Sequence, residues 1–273
     1  MKHLFDYKTY QVKAEQRAQL YWIFSDLSVF IQRSLRHIFT NMDQLLGLTI
    51  QPVMFMLLFR YVFGGAIDTG GQNYANFLVA GILIQSAAFG AMTTSLSVAT
   101  DLQRGIIERF KSLPTIGWGV LMGHVTADVV RNFIQALVMI GVGLLVGFRP
   151  TASVIEWLMI AGLLFVFTFA FSWVAAVMGL LAKSVESVQW MGFFVVFPLT
   201  FASAAFVPTN TMPRALRLFA ENQPITHIIE AVRALMIGTP VGNHAFLSVV
   251  WFVVIALISI PVASVLFRRY SGR

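Results

Sequence analysis

From residue 45 onward, long apolar runs alternate with short polar stretches, and the runs are long enough to cross a bilayer. A spanning helix needs about 20 mainly apolar residues. Six segments meet that length: Leu45 to Phe63, Tyr74 to Ala99, Val120 to Phe148, Val154 to Ala182, Trp190 to Val207 and Ala245 to Phe267. The fourth holds no charge between Glu156 and Lys183. Within lipid only helices and closed barrels satisfy their own backbone, and these runs lack the period-two alternation of barrel strands. The pattern therefore predicts an all-α integral membrane protein with six transmembrane helices.

The polar stretches carry patterns of their own. Before the first span, Leu20, Phe24, Leu27, Ile31, Leu35, Ile38 and Met42 recur at steps of three and four, one face of a helix. Arg33, Arg36 and His37 occupy other faces. A cationic side opposite an apolar stripe suits a helix lying in the membrane surface, as an anchor or as a platform for a soluble partner. Between spans two and three, "DLQRGIIERFKSLP" places Ile106, Ile107, Phe110 and Leu113 on one side of a short helix. Arg104, Glu108 and Lys111 fall on the other, paired at i,i+4 and i,i+3. Pro114 limits this helix, because the residue before a proline is pushed out of the α region. Between spans five and six, residues 214–220 and 225–237 both pattern as helices. Pro213 and Pro224 fit their starts, and Gly238 with Pro240 fits a stop. Two such helices outside the spans read as a re-entrant hairpin over about residues 208–243, a candidate lid.

Composition agrees with the pattern. Apolar residues make up 58% of the chain and charged residues 11%, against roughly a quarter charged in ordinary soluble domains. Mean hydropathy is +0.77. The net charge of +7 would suit nucleic acid, but the charges cluster at span ends, so no nucleic-acid partner is expected. Lys2, Lys8, Lys13, Arg17, Arg33, Arg36, Arg104, Arg109, Lys111, Arg131, Lys183, Arg268, Arg269 and Arg273 fall on one side of a six-span topology. Only Arg149, Arg214, Arg217 and Arg233 fall on the other. The positive-inside rule then predicts cytoplasmic termini. Arg60, near the outer end of span one, is expected to snorkel to the headgroups, a buried functional arginine being the alternative. The first residues lack the apolar core of a cleavable signal peptide.

Candidate chemistry is sparse. With no cysteine in the chain, thiolate metal sites and thiol nucleophiles are excluded. Scattered histidines and the lack of H-E-x-x-H and G-x-S-x-G leave no catalytic or metal site to assign, and G-x-x-x-x-G-K-[ST] is missing too. An integral membrane enzyme thus has no catalytic cluster to use. Span three opens with His124, Asp128, Arg131 and Gln135 on one helical face. Such groups serve proton relays, so an ion-coupled secondary transporter is the alternative reading. The plainer reading is an i,i+3 pair on an extension of span three below the membrane. The secondary-transporter reading also lacks detectable inverted repeats. Among the 25 phenylalanines, Phe55, Phe59, Phe89, Phe193, Phe197 and Phe201 are candidates for lining an apolar pathway.

Two stretches resemble the ABC-2 type permeases, most closely the daunorubicin-resistance type of exporter subunit. "RGIIERFKSLPTIGWGVLMGHVTADVV" resembles the family signature G-x-x-[ED]-R-x-[RK]-[ST]-[LM]-P, with Gly105, Glu108, Arg109, Lys111, Ser112, Leu113 and Pro114 in place. "NQPITHIIEAVRALMIG" resembles its N-P-x-[ST] stretch, although Gln223 separates Asn222 from Pro224. The resemblance implies a bacterial inner- or plasma-membrane exporter subunit that is not an ATPase. A cytoplasmic tail and interface helix would occupy 1–44, and a six-helix transmembrane domain 45–273. Two copies would pair, and each would dock a separate ATPase subunit carrying ATP and magnesium, with no cofactor on this chain. Residues 104–114, with Arg104, would be the coupling helix, and the helix bearing Arg33, Arg36 and His37 the interface helix. Asn222, Pro224 and His227 would be candidates for the outer gate. The resemblance implies an amphipathic cargo (drug, lipid or lipid-linked glycan) moving between the copies, past spans one, two and five, with membrane lipid around them.

Overall fold

The computed structural model describes residues 42–67, 73–105 and 119–271. Among them are eight α-helices and no strand. In chain order these are α1 (Met42–Leu58, continued by a π-helical turn Phe59–Phe63), α2 (Tyr74–Gln103), α3 (Gly119–Leu145) and α4 (Val154–Leu181). They are followed by α5 (Val185–Phe201), α6 (Arg214–Asn222), α7 (Pro224–Ile237) and α8 (His244–Ser271). Four of them, α2, α3, α4 and α8, are long and apolar enough to cross a membrane. The α1 and α5 segments are apolar but shorter.

Helix α2 is the axis of the bundle, with α3, α4, α5 and α7 packed around it. Lipid tails are as apolar as leucine, so close approach rather than water exclusion holds such helices together. Small residues make that approach possible. On α2, Ala80, Ala87, Ala88 and Ala91 are buried. On α4, a Cβ added to Gly179 would stand 2.5 Å from the Ser95 carbonyl oxygen of α2, so only glycine allows this crossing. Much of α8 faces outward instead, through Phe246, Val250, Trp251, Leu257 and Val265, as a lipid-facing helix should.

The helix ends follow local chemistry. In α4, Ser153 and Glu156 form a reciprocal capping box, and Ser184 with Ser187 does the same for α5. Pro224 opens α7, and Gly238 at φ 70° closes it in the left-handed conformation, as their sequence positions predict. The fifth apolar run differs from expectation. Its helix starts earlier, at Val185, and stops at Phe201 rather than Val207. Pro198 removes a backbone donor in the last turn, and residues 202–207 run on as turns. At 17 residues, α5 reaches only about 25 Å. Span three likewise stops at Leu145, before a turn in which Gly147 takes φ 103°.

Candidate functional site

Helices α1, α2 and α5 line an open cavity of about 480 Å³. Its aromatic wall is Phe55 from α1, Phe89 from α2, and Phe193, Phe197 and Phe201 from α5. The three α5 rings recur at i,i+4 and stack in sequence, with centroids 4.9 and 4.1 Å apart. Met92, Leu96 and Val188 complete the apolar surface. Its polar atoms belong to Gln51, Gln85, Thr93 and Gln189, and no charged side chain among the described residues lines it. An apolar chamber with a few neutral hydrogen-bonding groups is the usual form of a site for amphiphilic molecules. Five of the six phenylalanines singled out from the sequence meet at this cavity. Phe59 does not line it, and stacks on Phe206 with centroids 4.4 Å apart. The amides and Thr93 are additional lining residues. Their sequence signal was a polar group within an otherwise apolar span.

Behind the cavity wall, α2, α3 and α4 share a buried polar knot. Asp128 is fully buried and Arg131 is 9% exposed. The guanidinium donates from Nη1 to Asp128 Oδ1 at 3.1 Å and also to the Thr93 hydroxyl. Ser172 of α4 donates to the second carboxylate oxygen. The i,i+3 pair expected from sequence is therefore present. It lies in the protein interior rather than on a solvated extension, because α2 and α4 supply the hydroxyls that an isolated helix would lack. Thr93 belongs to both assemblies, one side on the cavity and the other on the ion pair. Two turns nearer the end of α2 at Gln103, His124 Nε2 meets Asp101 Oδ2 at 2.9 Å and braces the ends of α2 and α3.

Helix α2 runs for 30 residues, about 45 Å, which exceeds the roughly 30 Å hydrocarbon core of a bilayer. It ends where Arg104 donates its N–H to Thr100 and Gly105 turns at φ 64°. Glu108, Arg109, Lys111, Ser112, Leu113 and Pro114 lie outside the described residues, as do Arg33, Arg36 and His37. Arg60, half-buried, donates from Nε to the Val146 carbonyl at 3.4 Å, so it braces α1 against the end of α3.

At the same end of the bundle as Arg60, Asn222 donates to the Leu218 carbonyl within α6, and Pro224 is the first residue of α7. His227 of α7 meets His244 of α8, Nδ1 to Nδ1, at 3.2 Å. Burial, and then the facing His244, holds the His227 imidazole below its usual range. None of the three lines the cavity. Arg233 is 4% exposed and fully engaged: it donates to Phe77 O, Glu230 Oε1 and Ala204 O, and its guanidinium lies 3.6 Å from the Phe77 ring centroid. The sequence placed it among outer-side charges. Its contact with Phe77 spans 156 residues, so no local pattern could have revealed it.

Comparison with known proteins bears on this arrangement. The ABC-2 type transporter family matches residues 25–237. The chain is 33% identical over 196 residues to the daunorubicin resistance ABC transporter permease protein DrrB1 of Streptomyces coeruleorubidus, covering 72% of this chain and 69% of that protein. It is 25% identical over 233 residues to the probable doxorubicin resistance ABC transporter permease protein DrrC of Mycobacterium tuberculosis, covering 83% and 82%. It is 25% identical over 196 residues to the inner membrane transport permease YadH of Escherichia coli, covering 69% and 75%.

Proposed function

Since the chain belongs to the ABC-2 type transporter family, we propose that it is the membrane-spanning half of an ABC exporter, pairing with a second copy and with two separate ATPase subunits. In this reading all six apolar segments cross the membrane, with α1 and α5 completed by a thinned bilayer or by the second copy, and both termini are cytoplasmic. The cavity between α1, α2 and α5 is the cargo pathway. Its neutral lining suits a hydrophobic or amphipathic molecule, a class that includes the drugs named in two relatives. The wall residues Phe193 and Phe197, and Phe194 beside them on α5, are also exposed on the single chain, so the second copy would enclose them.

The observation that carries the reading is the continuity from the cavity to the end of α2. Thr93 in the cavity wall is bonded to the buried Asp128–Arg131 pair, and the same two helices are braced again by Asp101 and His124 before the chain enters residues 104–114. A push on that segment would move α2 and α3 as one body against α1 and α5. ATP-driven closure of the partner ATPases would supply the push, and the cycle requires their affinity to differ between the inward- and outward-open forms. Because Asp128 is compensated by three donors, its pairing favours a structural role over a proton relay.

The test is copurification with the partner ATPase followed by Glu108→Lys. Reversal places cations at 108, 109 and 111 together, where like charges repel. The variant should insert and pair normally yet lose substrate-stimulated ATPase activity. Full stimulated turnover with normal complex recovery would refute the coupling assignment. Met92→Trp, which fills the cavity, should lower export while leaving the complex assembled.

A further inference from the structure

Between α5 and the outer hairpin, residues 202–207 abandon helical geometry. Backbone freed at membrane depth has to find partners in the protein. Here it does so through side chains. Gln223, at the corner between α6 and α7, donates from Nε2 to both Leu199 O and Ala202 O at 2.8 Å. Arg233 Nη2 donates to Ala204 O at 2.6 Å, and Tyr74 Oη to Phe206 O at 3.0 Å. The Ala204 N–H donates to Thr226 Oγ1 at 3.3 Å. Three of the four side chains belong to the hairpin, so this strap is fastened to it.

The strap carries Phe206, which is 3% exposed. Its ring stacks on Phe59 at 4.4 Å and packs against Phe201 at 4.9 Å and Phe55 at 6.5 Å. Phe55 and Phe201 are themselves cavity walls. The four rings therefore close the end of the cavity that lies toward the hairpin. Beneath the strap, a Cβ on Gly81 would stand 2.0 Å from the Ala205 carbonyl oxygen, so the strap rests directly on α2.

We propose that Phe206 is the plug of the outer mouth of the pathway, and that Gln223 is the positioning residue through which the outer hairpin holds it shut. The proposal rests on the cavity being the pathway and on the hairpin facing outward. Movement of the hairpin would withdraw the amide from Leu199 and Ala202 and the guanidinium from Ala204. The strap would then lose its carbonyl partners, and Phe206 would leave the ring cluster. Gln223 is the residue that separates Asn222 from Pro224. An amide is required there, because both donated bonds come from a single NH2 group. Glutamate has the same shape but would turn two acceptors toward two carbonyl oxygens.

The absence of cysteine from the chain makes the test direct. A single cysteine at Gln85, on the cavity wall, is labelled with a membrane-impermeant maleimide in right-side-out vesicles containing the complete transporter. We expect slow labelling in the otherwise unaltered chain and at least tenfold faster labelling when Gln223→Glu or Phe206→Ala is added. Phe206→Leu, which keeps apolar bulk without a ring, should fall between. Unchanged labelling in the Phe206→Ala chain, recovered at normal levels, would overturn the plug; unchanged labelling in Gln223→Glu alone would overturn the positioning role. If Gln223→Glu does not accumulate, Gln223→Met replaces it, with the same expected result. Export by the same variants, read without the reporter cysteine, separates this inference from the pathway reading. Faster labelling with unaltered export would support the plug and count against the cavity as the route. Impaired export with unchanged labelling would do the reverse.

Discussion

Replacing Arg131 by methionine removes a charge that the fold has already compensated, and the cost follows from the partners left behind. Methionine keeps most of the apolar stem, so packing changes little. Asp128 is fully buried and loses the Nη1 donor at 3.1 Å, keeping only the hydroxyls of Thr93 and Ser172. Breaking a buried pair from one side costs about 3–5 kcal/mol, because the remaining charge has no counterion. At about 2–4 °C per kcal/mol for a chain near this size, Arg131→Met should lower Tm by roughly 6–20 °C. The double variant Asp128→Leu/Arg131→Met removes both charges and should recover most of the loss. Thr93 Oγ1 also lies 2.8 Å from the Gly90 carbonyl, and Ser172 can turn to its own helix as Thr168 does. Asp128→Asn should be milder, with ATP-driven export retained. Thermal unfolding of the four proteins in one detergent, followed by intrinsic fluorescence, ranks them. Equal stability of Arg131→Met and the parent, or a double variant no better than the single, would refute the claim that the pair is a buried structural knot.

Three further outcomes are expected. Gly81→Ala would drive a Cβ into the Ala205 backbone and should cost about 1–3 kcal/mol in the same melts. Gly162→Ala meets nothing within 4 Å and should leave stability unchanged or raise it by up to about 1 kcal/mol; equal losses at both sites would contradict the close approach. The His227 imidazole titrates below its unfolded value of about 6.5. The unfolded chain therefore binds more protons in that window, and the contribution of His227 is present above about pH 6.5 and lost as pH falls through the lower folded value. Protection of the hairpin from protease should weaken from pH 7 toward pH 5, and His227→Gln should flatten that dependence; an unchanged slope would remove His227 from the explanation. Single cysteines at Ser112 and Asn210 should report opposite sides, with only residue 210 labelled from outside; labelling at 112 alone would invert the topology.

Much of the helical layout was legible because apolar length and capping residues act locally. The fourth run was expected over Val154 to Ala182 and forms Val154–Leu181, and Pro224 and Gly238 bound α7 as their backbone preferences dictate. The fifth run was less legible. An apolar stretch does not reveal that Pro198 and the strap end a helix early, since Ala202 to Val207 is as apolar as what precedes it. The cavity was legible in its aromatic part, where Phe193, Phe197 and Phe201 share one face by their spacing. Gln85, Thr93, Phe206 and Gln223 acquire their places through contacts between distant segments, as when Tyr74 reaches Phe206 across 132 residues. Such contacts leave no period in the sequence. The pairing of Asp128 with Arg131 was legible at i,i+3, but its burial depended on Thr93 and Ser172, 35 and 44 positions away.

The central claim is that ATP hydrolysis on a partner subunit drives cargo through this chain. The most direct measurement is movement of a hydrophobic dye, with daunorubicin as the probe, in proteoliposomes holding the permease and its ATPase in defined orientation. The account predicts movement toward the hairpin side that requires ATP, is lost with a hydrolysis-deficient ATPase, and is insensitive to an imposed proton gradient. Gradient-driven movement by the permease alone, abolished by Asp128→Asn, would contradict it and establish the ion-coupled alternative.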